Sequence, residues 1–442
     1  MREMKDSGIE WIGEIPSSWK VSKVKYSYDV VLGKMLQPNQ KKDTEELVPY
    51  MCAANITWSG VDLSTEKQMW FSESEKSLYL LKNGDLLVTE GGDVAVSCIW
   101  NNELPLCCIQ NAVHRVRPKN DASNRYLYYW LYMLKSQGYI DLVCNKATLA
   151  HFTKEKLDRC ILVLPPSYEQ KRIASYLDAR CDEIDALIAA KEKTNALLRE
   201  RRQSIIYEAV TKGLDPNAPM KDSGVEWIGE ISEGWKTVRI KHVIDRSEYG
   251  IKIGPFGSTL ANRTLISGPY NVYSQANLIS NSFSDTNHHI DGNTFDDLRG
   301  YEVKPGDVCV SMMGTIGKCR VVPADITKGI MDSHLIKIRL DEEQIDPRFF
   351  EYVYDKDNSG VCYTQMQYEK KGTIMDGLNT AIVKNLVIPL PPLTDQVVIS
   401  NYLDTKCAES DALICKNGQE IRKLKEYRQS LIYEAVTGKI EV

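Results

Sequence analysis

No run of about 18 consecutive apolar residues occurs in the 442-residue chain, so no segment reads as a membrane-spanning helix. The opening residues "MREMKDSG" also lack an apolar signal region, and export by that route is not expected. Histidine is scarce: there are six, none at metal-ligand spacing. The twelve cysteines contain no C-x-x-C pair, and most sit in apolar surroundings such as "VSCIW" and "GDVCV". Buried, reduced thiols in a cytoplasmic protein are therefore expected, not a metal site or a disulfide framework. Nor is there an excess of positive charge. The formal net charge of -5 argues against a general polyanion binder, although a local basic face could still serve one. What is present, 43% apolar and 26% charged residues, suits a folded, water-soluble chain. Its length exceeds what a single core usually fills, so two domains are expected.

The chain states itself twice. "MKDSGIEWIGEI" from Met4 returns as "MKDSGVEWIGEI" from Met220, and residues 4–25 share 14 identities with residues 220–241. A longer echo follows: "LPPSYEQKRIASYLD" from Leu164 returns as "LPPLTDQVVISNYLD" from Leu390, and "RRQSIIYEAVTKG" returns as "YRQSLIYEAVTGK". The material between the two parts, roughly 26–160 and 242–386, is dissimilar. A common frame thus alternates with two individual inserts.

The long echo reads as a helix. Pro165-Pro166 and Pro391-Pro392 force an extended entry, Ser167 with Gln170 fits a capping box, and Thr394 offers a cap one position later. Gly213 and Gly438 stand where helices end. Between them Leu177, Cys181, Ile184, Ile188, Leu198, Ile205 and Ala209 keep a 4-3 spacing, as do Leu403, Cys407, Ile414, Ile421, Leu424, Leu431 and Ala435. That spacing is a coiled-coil seam, interrupted by Asn195, Asn417 and the paired Arg202 and Arg428, which would fix its register. A helix over 173–211 would be roughly 58 Å long, and its natural cover is the other copy. Because the second helix runs to "TGKIEV" and the first leads into the second frame, the chain resembles a circle cut between Val442 and Met1. Neighbouring termini, antiparallel helices and pseudo-two-fold symmetry are expected.

These residues carry a family resemblance. "WIGEIPSSW", the "LPPxxxQ..I..YLD" start of each long helix, "GDVCVSMMGTIGKCRV", "YGIKIGPFGSTL" and the terminal "RQSLIYEAVTGK" resemble the specificity subunit of type I restriction-modification enzymes, over essentially the whole chain. The resemblance implies two target-recognition domains, each reading one half of a split double-stranded DNA sequence. It implies the helices as spacer and as docking surface for modification (methyltransferase) subunits, two in number, alongside restriction/translocase subunits. It implies no cofactor in this chain: S-adenosylmethionine, ATP and Mg²⁺ would belong to the partners. The second frame departs slightly, with Ser232-Glu233-Gly234 in place of Pro16-Ser17-Ser18.

The inserts alternate short β-rich runs with Gly and Asn turns, and the Gly84-Asp85 and Gly306-Asp307 pairs read as hairpin geometry. Groove reading needs Arg or Lys for guanine and Asn or Gln for adenine, while phosphates take Lys, Arg, Ser, Thr and backbone amides. The first insert offers Lys34, Gln37, Asn39, Lys41, Lys42, Asn55, Thr57, Trp58, His114, Arg115, Lys146 and Thr148. The second offers Tyr249, Lys252, Ser258, Arg263, Gln275, Asn277, His334, Gln365, Gln367, Tyr368, Lys370 and Lys371.

Motifs for catalysis are incomplete. "GTIGKC" would need glycine at Met312 and Ser or Thr at Cys319 to be a phosphate loop. "LPPSY" and "LPPLT" carry leucine where an adenine-methyltransferase signature has an acid or Asn, and Glu169-x-Lys171 loses its lysine at the equivalent Val397. The expected fold class is α+β: two mixed, β-rich recognition domains separated by two long antiparallel helices. The expected boundaries are a repeated segment at 1–25, recognition domains at 26–163 and 242–389, a central helix at 164–214, a linker with the second repeated segment at 215–241, and a terminal helix at 390–442. A non-catalytic DNA reader is the function expected; a coiled-coil scaffold without nucleic acid is the alternative.

Overall fold

A computed structural model describes residues 2–144, 150–247, 250–260, 263–284, 286–369 and 377–442. The repeated dozen is a β-hairpin whose turn dictates its sequence. Met4–Asp6 pairs with Glu14–Pro16, and Met220–Asp222 pairs with Glu230–Ser232, in the same register. Asp6 and Asp222 each accept the amide of a following glycine at 2.9 Å. Gly8 and Gly224 hold φ of +71° and +72°, a region that a side chain resists. Trp19 and Trp235 follow, both buried.

Two compact units form, 1–191 with 419–442, and 192–418. Both contain parts of two long helices, Ser167–Lys212 and Leu393–Val436. In the first unit Arg428 Nε lies 3.3 Å from Asp185, and Lys191 pairs with Glu420. In the second, Asn417 donates to Asn195 at 2.9 Å and Arg202 lies 3.6 Å from Asp411. Partner numbers fall on one helix as they rise on the other, so in each unit the helices run antiparallel. The apolar seam positions are buried or half-buried throughout. Asn195 and Asn417 satisfy one another inside that seam, where an unmatched amide would be costly.

Both helices end as the glycines predict. Gly213 and Gly438 adopt φ of +85° and +72°, and a Cβ on Gly213 would meet Trp235 at 3.2 Å, while one on Gly438 would collide with Pro16. The last turn of the second helix and the tail beyond it lie on the first hairpin: Tyr433 donates to Trp11 O at 3.1 Å and Lys439 to Glu14 O at 2.6 Å.

The helix starts differ from expectation. Ser167 donates to Asp121 O, and Gln170 makes no box with it. Instead Gln170 donates to Pro165 O at 2.8 Å and accepts the Ser123 amide at 2.9 Å. Gln396 repeats this with Pro391 O and the Asp346 amide. Thr394 lies inside the second helix, whose first residue is Leu393, and bonds only Asp395. The paired prolines leave a carbonyl that the glutamine satisfies, so it serves an attachment and not a cap.

That attachment holds the insert helices Asn124–Ser136 and Pro347–Tyr354, which begin just after Ser123 and Asp346. Arg125 and Tyr129 both bond Asp178, at 2.6 Å each. Arg348 and Tyr352 bond Asp404, at 2.9 and 2.7 Å. One arginine and one tyrosine, a helical turn apart, thus grip the aspartate of each repeated "YLD".

The dissimilar inserts share one architecture. In the first, an antiparallel sheet runs Ser97–Ile99, Leu86–Thr89, Val113–Pro118, Tyr28–Leu32; in the second, Cys319–Val321, Val308–Ser311, Leu335–Ile338, Ile251–Ile253. A parallel pair accompanies each, Glu46–Met51 with Cys108–Ile109 and Tyr270–Tyr273 with Gly329–Met331. The Gly-Asp turns are hairpin anchors: Asp85 takes Arg117 through two bonds and caps the Lys82 amide, and Asp307 does the same with Arg339 and the Lys304 amide. No disulfide forms; ten of the twelve cysteines are buried. Among the described residues no helix is long and apolar enough to cross a membrane, and no His/Cys/Asp/Glu group could hold a metal.

Candidate nucleic-acid interface

Strand register decides which loops share an end of each insert. In the first, Thr89 lies opposite Val113 and Leu32 opposite His114. The loops leaving Leu32 and Thr89 and entering Val113 therefore meet. Backbone bonds tie them: Gly33 N to Val113 O at 3.1 Å, Glu90 N to Ala112 O at 2.8 Å, and Phe152 N to Glu90 O at 2.7 Å. The second insert repeats the knot with Gly254 N to Leu335 O at 3.0 Å, Met312 N to His334 O at 3.0 Å, and Leu378 N to Met312 O at 2.8 Å. Four chain segments converge in each case; of the described sequence-predicted readers, Lys34, Gln37, Asn39, Lys41, Lys42, Ser258, Arg263 and His334 lie on them and His114, Arg115 and Lys252 on the strands they cap, whereas Asn55, Thr57, Trp58, Gln275, Asn277, Gln365, Gln367 and Tyr368 lie on other elements.

The predicted residues divide by burial. Asn39, Lys41, Lys42, Arg263, His334, Gln367 and Tyr368 are exposed. Arg263 pairs with Asp297 at 2.7 Å, His334 faces Asp332 at 3.2 Å, and Tyr368 stacks on Trp227 with ring centroids 5.6 Å apart. Thr57, Trp58, Lys252 and Gln275 are half-buried. Thr57 closes its own turn onto Gly60 O, Trp58 meets Tyr128 and Tyr132 edge-on, and the Lys252 ammonium lies 4.2 Å over Tyr301.

Seven others are spent inside the domains. Lys34 is buried between Trp70 O and Glu75, and Gln37 bonds Glu45 at 2.9 Å. Asn55 and Asn277 are matched caps: each accepts the amide three residues before it, at 3.0 and 2.9 Å, and donates to a carbonyl beyond. Arg115 reaches Leu78 O, and Gln365 exchanges two bonds with Val387. His114 bonds Phe152 O at 2.8 Å. Their partners lie inside the domain, backbone carbonyls and amides for five of them and also Glu75 for Lys34 and Glu45 for Gln37, and the His114 Nδ1 and Arg115 Nε atoms left without a partner are buried, so these side chains have a folding role and offer little to a base. Of the remainder, Lys146, Thr148, Tyr249, Lys370 and Lys371 lie outside the described residues, and so does the side chain of Ser258 in the short helix Gly257–Leu260.

His114 links the site to pH. Burial pulls its imidazole down to about 4, so the folded state keeps it neutral while the unfolded state protonates near 6.5. Stability is full above pH 6.5 and falls as the pH drops from there to about 4, by about 3 kcal/mol at the limit. His114→Gln should flatten that part of the acid-unfolding profile. An unchanged slope between pH 6.5 and 4 would contradict this.

Sequence reasoning missed the Arg125/Tyr129 and Arg348/Tyr352 grips that seat each insert on its helix. The signal was present as an arginine and a tyrosine four residues apart, before each "YLD".

The fold is thus a frame stated twice and two inserts of matching topology, each with its loops gathered at one end. The model of the type I restriction modification DNA specificity domain matches residues 16–197 and again 233–423, and the chain belongs to that family, whose members are specificity subunits and not catalytic ones. The type I restriction enzyme EcoBI specificity subunit of Escherichia coli is 22% identical over 451 residues, covering 99% of this chain and 90% of that protein. The type I restriction enzyme MjaVIII specificity subunit of Methanocaldococcus jannaschii is 22% identical over 436 residues, covering 97% and 94%. A solved structure titled for complex assembly and conformational transition of the type I R-M system superposes with a TM-score of 0.69 at 16% identity, covering 96% of this chain and 99% of that one.

Proposed function

We propose that each insert reads one half of a bipartite, asymmetric DNA target, that the paired helices set the gap between halves, and that the repeated frame docks two methyltransferase subunits. Restriction/translocase subunits would join that assembly; S-adenosylmethionine, ATP and Mg²⁺ would serve the partners. One observation carries the asymmetry: the two loop ends are tied by matching backbone bonds yet furnished differently, "GKMLQPNQKK" from Gly33 against "GPFGSTLANR" from Gly254. Base edges are discriminated by side chains, so one scaffold with two furnishings reads two sequences. Readers on the same side of B-DNA sit about 34 Å apart or a multiple of it. A 46-residue helix is about 69 Å long, stiff enough to keep such an interval.

Mobility of a pooled random duplex is the first test, at low and moderate salt, with the chain alone and with a modification subunit. Retardation that weakens as salt rises is expected. Absence of any retardation in both preparations would favour a scaffold without nucleic acid.

A further inference from the structure

One feature of the two heads is matched although the loops around it are not. Met35 is 75% exposed and Phe256 83% exposed, and each stands two residues past a glycine that ends the outer strand. Both glycines are compulsory. A Cβ on Gly33 would collide with the Gln110 carbonyl, and one on Gly254 with the Asp332 carbonyl. The loop base is thereby pressed onto the neighbouring loop and fixed by the Gly33–Val113 and Gly254–Leu335 bonds. A large apolar side chain on so firm a base, at the convergent end of each head, serves no core.

Exposed cations on the same loops suit a polyanion: Lys41 and Lys42 on the first, and on the second Arg263, which is paired with Asp297. Apolar side chains inserted between base pairs unstack them and kink the duplex, and the cost depends on the step, least for pyrimidine–purine steps. Resting on the DNA-reading role proposed above, we infer that Met35 and Phe256 are wedges, each entering one base step in its own half of the target. Part of the sequence preference of each head then comes from how easily that step opens, with no hydrogen bond to the bases concerned.

The test uses the full chain with its methyltransferase subunits and a duplex bearing the motif assigned from methylated bases in the host genome, with 2-aminopurine placed at successive positions. Fluorescence should rise several-fold at one step in each half. Phe256→Ala should abolish the rise in one half only and weaken binding roughly tenfold, while Phe256→Tyr keeps it. Met35→Ala should act in the other half, and Tyr26→Ala, another exposed aromatic, in neither. A duplex that is bound without any rise, or a rise that survives Phe256→Ala, would overturn the wedge. A wild-type complex that does not bind the duplex would instead overturn the DNA reading beneath it.

Discussion

Exchanging residues 26–160 for the corresponding insert of a relative should rewrite one half of the methylated sequence and leave the other half intact. The insert is seated on its frame by a defined set of partners: Gln170 with the Ser123 amide, Asp178 with Arg125 and Tyr129, Tyr126 with Val163 O and Val436 O, and Trp130 with Ile161 O, over one shared apolar core. A donor that keeps the equivalents of Arg125, Tyr126, Tyr129 and Trp130 should seat without disturbing the helices. Each mismatched base pair costs ~1–3 kcal/mol, so over a half-site of a few base pairs the change of preference amounts to several orders of magnitude. Sequencing methylated genomic DNA from cells carrying the hybrid reads the outcome. Change in both halves, or in neither, would show that the inserts are not the independent readers proposed.

Trp19→Ala should cost about 3–5 kcal/mol, the usual range for emptying a buried indole site. Trp19 is almost wholly buried, its Nε1 donates to Glu169 at 2.9 Å, and the helix-ending Gly438 packs against its ring. Glu169 would keep only Arg2 and Tyr168 as side-chain partners. The loss should loosen the N-terminal hairpin, the tail and the end of the second helix together, because Ile12, Ile15, Leu431, Ile432, Ala435 and Val436 share one apolar core with that indole and Ile440 and Val442 pack against it. Hydrogen exchange should accelerate there and stay unchanged in the unit formed by residues 192–418. Uniform acceleration, or none, would refute the closure of the chain's two ends onto one core.

The frame was legible because it is periodic and stated twice. The 4-3 spacing gave the helices, Gly213 and Gly438 gave their ends, and the terminal sequences gave the closure seen between Lys439 and Glu14. The capping box at Ser167 was misread because Ser-x-x-Gln fits two geometries, and only the neighbouring Ser123 amide decides between them. The kinship of the inserts was hidden for a different reason. Their shared topology rests on a few polar contacts, such as Asp85 with Arg117 and Asp307 with Arg339, scattered among apolar residues that exchange freely. The loop clusters could be located, whereas individual readers could not. Asn55 and Asn277 have the chemistry to read adenine, but the same amide caps a turn equally well, and burial settles the choice. Burial depends on contacts far apart in sequence.

On the proposed function, paired helices hold two unlike heads at one interval. Its most direct test is the map of methylated bases in DNA from cells with the intact complex. A single motif of two different half-sequences, separated by an invariant number of unspecified bases, is expected. Half-sequences found at many separations, or one half methylated alone, would contradict it.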